Sequence, residues 1–208
     1  MSFDLWLAFA LAASALLVLP GPTVLLVVSY ALAHGRRAAL SVVAGVALGD
    51  FVAMTVSLAG LGALLAASAL LFTVLKWLGA AYLIWLGIKL WRAPTGDPAQ
   101  QALPDFNRRR MFGHAFVVTA LNPKGIVFFV AFLPQFLEAG RPLLPQFAIM
   151  EATFVGLATL NALGFALLAS AARRAIRRPA VQRAVNRVGG SLLVAAGVTT
   201  ALWRRAAA

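Results

Sequence analysis

The 208-residue sequence contains no cysteine, which excludes disulfides, thiolate metal sites and thiol-redox chemistry together. Charge is scarce. Asp, Glu, Lys and Arg make up 12% of the chain against 62% hydrophobic residues, and the mean hydropathy is +0.90. That balance excludes a water-soluble globular domain. Acidic residues are scarcer still, six against eighteen basic, for a formal net charge of +12. A nucleic-acid binder arranges such an excess as a stripe on a folded surface, whereas here the charges sit between apolar runs, so no nucleic-acid partner is expected. The chain also lacks GxSxG and HExxH motifs and has a single aspartate deep in an apolar run, which removes the usual intramembrane hydrolases and leaves no enzyme to propose. Two carboxylates within the apolar runs, no thiol and no histidine at their centres are a poor set for a transition metal. Neither a metal site nor a cofactor is expected. Met1-Ser2-Phe3-Asp4 places no positive charge before the first apolar run, so that run reads as retained rather than cleaved.

Long apolar runs are what the sequence does have. A hydrocarbon layer about 30 Å thick takes roughly 20 residues of helix, so this length holds about six spans. Reading between charges predicts helices over 3–33, 38–66, 69–91, 111–137, 143–171 and 186–203. The last is short, because its uncharged core runs only from Val188 to Trp203, and it needs a thin bilayer or snorkelling flanks. Residues 93–110 are rich in Pro, Gly and Gln and end in Arg108-Arg109-Arg110. They predict a cytoplasmic linker between halves 1–92 and 111–208.

Basic residues in short loops stay on the cytoplasmic side. Arg36 and Arg37, then Lys89, Arg92 and Arg108 to Arg110, then Arg173, Arg174, Arg177, Arg178, Arg183 and Arg187 fall on one side, against Arg141, Arg204 and Arg205 on the other. Both termini are therefore expected outside. With three helices per half, the second half enters the membrane in the opposite direction to the first, which defines an inverted-topology repeat. The predicted fold is an all-α integral membrane protein of six transmembrane helices in two inverted three-helix repeats, with helices 1 and 4 broken.

The breaks are Pro20-Gly21-Pro22 and Asn122-Pro123, and the steps from Pro22 to Asp50 and from Pro123 to Glu151 are both 28 residues. Proline has no N–H and clashes with the preceding turn, so carbonyls around Leu16 to Val18 lose their helical partners. Backbone of that kind survives in a bilayer only against protein or a wet cavity. The half-helices resuming at Thr23 and at Asn122, Pro123 and Lys124 present N–H groups and positive dipole ends at mid-membrane, where a carboxylate fits. For either break alone an ordinary proline kink is the alternative. Corresponding breaks in two halves favour a binding site.

Ionisable groups inside a bilayer are expensive and need partners. Asp50 and Lys124 fall near the midplane, and Lys76 and Glu151 near the outer face, which predicts Asp50 paired with Lys124 at the site and Lys76 with Glu151 as an outer gate. Snorkelling is the alternative for Lys76 and fits Lys89 beside Trp91. All three lysines lie in helices 3 and 4, while the other fifteen basic residues are arginine. An ammonium can release a proton in a way that guanidinium cannot, so Lys124 or Lys76 is expected to take part in proton-linked chemistry. His34 and His114 read as interfacial. Gly45 and Gly49 read as a close helix contact, leaving a homodimer open. Tyr82 needs a hydrogen-bond partner in its apolar helix and is expected to line the site.

Leu19-Pro20-Gly21-Pro22, the run Lys76-Trp77-Leu78-Gly79-Ala80-Ala81-Tyr82-Leu83-Ile84-Trp85-Leu86-Gly87, Asn122-Pro123-Lys124 and Pro134-Gln135-Phe136 resemble the LysE family of amino-acid exporters, nearest its homoserine/threonine efflux branch. The resemblance spans nearly the whole chain. It implies export of amino acids or close analogues across the bacterial cytoplasmic membrane, driven by proton exchange, and it supports Pro20, Gly21, Pro22, Lys76, Tyr82, Asn122, Pro123 and Lys124 as functional positions. Asp50 as the proton-coupling residue and Glu151 as a gate residue come from this sequence alone. The expected partners are an amino acid, protons and lipid. Two rival readings are an exporter of a cation or another small organic ion on the same fold, and a non-transporting membrane scaffold.

Overall fold

The computed structural model describes residues 1–19, 21–67, 69–93, 107–138, 140–176 and 178–202. Among these the chain is helical: α1 Phe3–Val18, α2 Pro22–His34, α3 Arg36–Ala67, α4 Ala69–Trp91, α5 Arg108–Ala120, α6 Pro123–Val127, a π-helical turn Phe128–Phe132, a 3-10 turn Leu133–Phe136, α7 Leu143–Ile176 and α8 Pro179–Leu202. Four helical segments are long and apolar enough to cross a bilayer: Ala39–Leu61, Arg108–Phe136, Leu143–Ala169 and Pro179–Leu202. The bent pair Phe3–Val18 and Pro22–His34 makes a fifth, turning by 55° at its break. Trp77–Trp91 is a shorter apolar helix. Large apolar side chains such as Leu40, Val56, Leu144 and Leu160 face outward, as lipid-facing positions require.

Three expectations are corrected in detail. Arg108 to Arg110 belong to the first turn of α5 and not to the linker, because the Asn107 side chain caps that helix by accepting from the N–H groups of Arg109 and Arg110. The rest of the linker, 94–106, lies outside the described residues. The last helix starts at Pro179 rather than 186. Its first turns are solvent-facing and basic, and Arg187 lies 5.3 Å over the Trp91 ring, so the charges flank the apolar core without ending the helix. Finally, the span after Asn122 is not a plain α-helix. The Leu133 N–H bonds to the Phe128 carbonyl five residues back, and Pro134, with no N–H to continue an α-ladder, lies in the first positions of the tighter 3-10 turn.

Two apolar clusters make the core. One joins Phe9, Leu16, Leu83, Phe128, Phe129, Phe132, Phe154 and Leu193, with Phe129 and Phe154 edge to face at 4.8 Å. The other joins Val27, Tyr30, Val42, Val46, Met111 and Ala166. Close helix contacts depend on glycine. A Cβ on Gly49 would meet Thr119 Cβ at 2.8 Å and the Phe116 carbonyl at 2.9 Å, while one on Gly45 would overlap the Phe112 carbonyl. The Gly45/Gly49 step thus packs α3 against α5 within this chain. Gly87 and Gly190 do the same for α4 and α8, each facing the other's carbonyl, at 2.6 Å and 2.5 Å.

Candidate functional site

A cavity of about 40 Å³ lies at the seam between the two apolar clusters. Its walls come from both breaks: Leu16, Leu17, Gly21 and Thr23 from the first, Asn122, Lys124 and Gly125 from the second, with Val46 and Asp50 from α3 and Phe154, Ala158 and Asn161 from α7. At roughly 10–15 Å³ per water, it has room for about three waters.

The local geometry follows from proline. Pro22 and Pro123 each occupy the first turn of their helix, behind Gly21 and Asn122 as N-caps. Asn122 Oδ1 accepts from the Lys124 backbone N–H at 3.1 Å, and its Nδ2 donates to Thr23 Oγ1 at 3.2 Å. The Thr23 hydroxyl also lies 3.4 Å from that of Thr119. Gly21 has no side chain, so the N-terminus of α2 has no side-chain cap, and Thr23 and Val24 border the cavity there.

On the other side of the first break, the carbonyls of Leu16, Leu17 and Leu19 would have bonded to residues 20, 21 and 23 in an unbroken helix. Lys124 Nζ instead donates to Leu16 O and Leu19 O, both at 3.0 Å, and Asn161 Nδ2 donates to Leu17 O at 3.0 Å. Leu19 N–H turns back to Leu16 O at 3.2 Å. Asp50 is 8% exposed at the cavity wall and lies within the electrostatic reach of Lys124. The expected Asp50–Lys124 ion pair is corrected, since among the described residues the ion pairs within 4 Å are those of Glu138 with Arg141 and with the Met1 amine. The lysine ammonium donates instead to the backbone oxygens of the first break.

The structure therefore brings Gly21, Thr23, Asp50, Asn122 and Lys124 to one cavity, with Pro22 and Pro123 setting the half-helices behind it. Pro20 lies outside the described residues. Tyr82 is corrected: it is half-buried on α4 with its ring 5.5 Å from that of Trp85, and it does not border the cavity. The α4 helix packs chiefly on α8, which turns that residue away from the breaks. The side chain of Lys76 also lies outside the described residues. Glu151 accepts a hydrogen bond from Thr55 across the α3–α7 interface. Lys89 stands 4.9 Å over the Trp85 ring, in keeping with an interfacial position. His114 is not merely interfacial, since its Nδ1 is 2.9 Å from the hydroxyl of the fully buried Tyr30. Asn161 and Thr119 escaped the sequence reading. A polar residue in the middle of an apolar span was the available signal for both.

A sequence profile described as LysE type translocator matches residues 14–203. The homoserine/homoserine lactone efflux protein of Salmonella typhimurium is 35% identical over 206 residues, covering 99% of this chain and 100% of that one. An uncharacterized membrane protein of Vibrio cholerae is 34% identical over 201 residues, 97% and 98% of the two chains. The leucine efflux protein of Klebsiella pneumoniae is 32% identical over 134 residues, 64% and 63% of the two chains. No solved structure matches the chain significantly. The chain belongs to the LysE-type translocators, a family of membrane transporters and not of enzymes.

Proposed function

We propose that the chain exports amino acids or close analogues across a bacterial cytoplasmic membrane by proton antiport. In this reading its helices form six spans in two inverted three-helix repeats, with both termini outside. The observation that carries the proposal is the convergence of both helix breaks on one cavity bordered by Asp50 and Lys124. The relatives named for efflux of homoserine and its lactone, or of leucine, support an amino-acid cargo. Packing supports the repeat. If each span is exchanged with the one three further along, α3 against α5 becomes α7 against α1 and α2, while α4 against α8 and α3 against α7 map onto themselves.

The uncapped N-terminus of α2 at Thr23 and Val24 receives the substrate carboxylate. The substrate ammonium lies toward the helix-break carbonyls and Asp50. A proton taken up by Asp50 from outside removes the negative charge that holds the ammonium, and the amino acid leaves. Alternating access then carries the proton inward. Glu151, through Thr55, and Lys76 complete the proposal as an outer gate.

The test is efflux from proteoliposomes loaded with L-homoserine, homoserine lactone or L-leucine, with and without a pH gradient. Gradient-dependent efflux of at least one of them is expected, and its absence for all three overturns the proposal. Raised tolerance to toxic amino-acid analogues on overexpression is the cheaper counterpart.

A further inference from the structure

We propose that Lys124 is a tethered occupant of the substrate's ammonium subsite: its side chain fills the Leu16 and Leu19 carbonyl cage in the empty carrier, and an amino acid must displace it to bind. The inference rests on the exporter reading and deepens it by assigning the subsite and its competitor.

A lysine side chain and an amino acid both end in a primary ammonium on a tetrahedral carbon, with three N–H donors and no acceptor. The cage suits that group. Leu16 O and Leu19 O have lost their helical donors to the break, and both point at one nitrogen from 3.0 Å. The intervening Leu17 O is held apart by Asn161, so two carbonyls converge and the third is withdrawn. Asp50 supplies negative charge on the same cavity wall without contacting the lysine directly. A lysine kept only to neutralise that carboxylate would sit against it. Gly21 leaves the track for the lysine stem open, since a Cβ there would stand 3.3 Å from Nζ and 3.5 Å from Cε.

Two consequences follow. The empty carrier never exposes bare carbonyls to a low-dielectric interior, a state that is costly in a bilayer. Moreover, Lys124 extends from the second break to grip the end of α1, so displacing it unties the two breaks and frees its ammonium for the bound substrate's carboxylate. Substrates must then carry a primary ammonium. N-acylated and quaternary analogues fail to displace the lysine.

The experiment uses full-length protein in detergent. Methylammonium, acetate and tetramethylammonium are titrated at constant ionic strength into wild type, Lys124→Ala and Lys124→Met, the last preserving stem volume should the alanine variant not fold. Methylammonium is expected to raise the melting temperature of the variants by about 2–4 °C at about five times its Kd, with a smaller rise in wild type and none from the other two ions. A rise with acetate in place of methylammonium, or with neither, overturns the inference. Wild-type efflux discriminates the levels: failed amine binding with intact amino-acid efflux removes only the tethered-occupant role, whereas absent efflux removes the exporter reading itself.

Discussion

The side-chain amide of Asn122 donates to the hydroxyl of Thr23 at 3.2 Å, joining two helix breaks 99 residues apart in sequence. The same amide caps α6 through its oxygen, so one residue both starts a half-helix and ties it to the other. Asn122→Ala removes a cap and a cross-break bond, for an expected loss of about 1–3 kcal/mol, while Thr23→Val removes the bond together with the 3.4 Å contact to the Thr119 hydroxyl. A double-mutant cycle on thermal stability in detergent checks this, with a coupling energy between the two positions as the expected result.

Asp50→Asn keeps the shape of the cavity wall and removes its titratable charge. We expect amino-acid efflux to lose its response to an imposed pH gradient. Efflux measured in proteoliposomes with and without the gradient decides it, and full gradient-driven efflux in the variant removes Asp50 from the coupling role.

Asn161→Leu leaves the Leu17 carbonyl without its 3.0 Å donor in a mostly apolar wall, for an expected destabilisation of about 1–3 kcal/mol. Asn161→Gln, which can still reach a carbonyl, is expected to lose less. Melting temperatures of the two variants against wild type provide the comparison.

Gly49→Leu and Gly190→Leu force side chains into space already filled by Phe116 and Thr119, and by Gly87 and Trp91. Overpacking of this kind costs about 1–3 kcal/mol or more. Gly156→Leu, at a position with nothing within 4 Å of a new Cβ, serves as the neutral control. Yield of monodisperse protein and melting temperature are the readouts.

The absence of native cysteine makes topology directly measurable. Ser2→Cys and Ala207→Cys are expected to react with a membrane-impermeant maleimide added outside intact cells, and Ala102→Cys only after permeabilisation. The opposite pattern overturns the proposed orientation of the two repeats.

Much of this molecule was legible one residue at a time. Hydropathy and charge spacing marked the apolar runs, because a spanning helix must satisfy its backbone internally and shed its charges at the ends. Pro22 and Pro123 marked the breaks, because a missing N–H acts on the local ladder whatever surrounds it. Asn122 as a cap was equally local. Other features depend on which faces of distant helices meet. Tyr82 went astray because its own span offers no sign that α4 turns toward α8, and Asn161 was overlooked because its partner is a carbonyl 144 residues away.

The same division holds at the site. Hydropathy marked Asp50 and Lys124 as ionisable groups within apolar runs, and proline marked the two breaks. It is the packing of distant helices that turns the ammonium of Lys124 to the freed carbonyls of Leu16 and Leu19 instead of the carboxylate. A charge chooses among acceptors by distance and direction, and those are set when α1, α3, α6 and α7 close around one another.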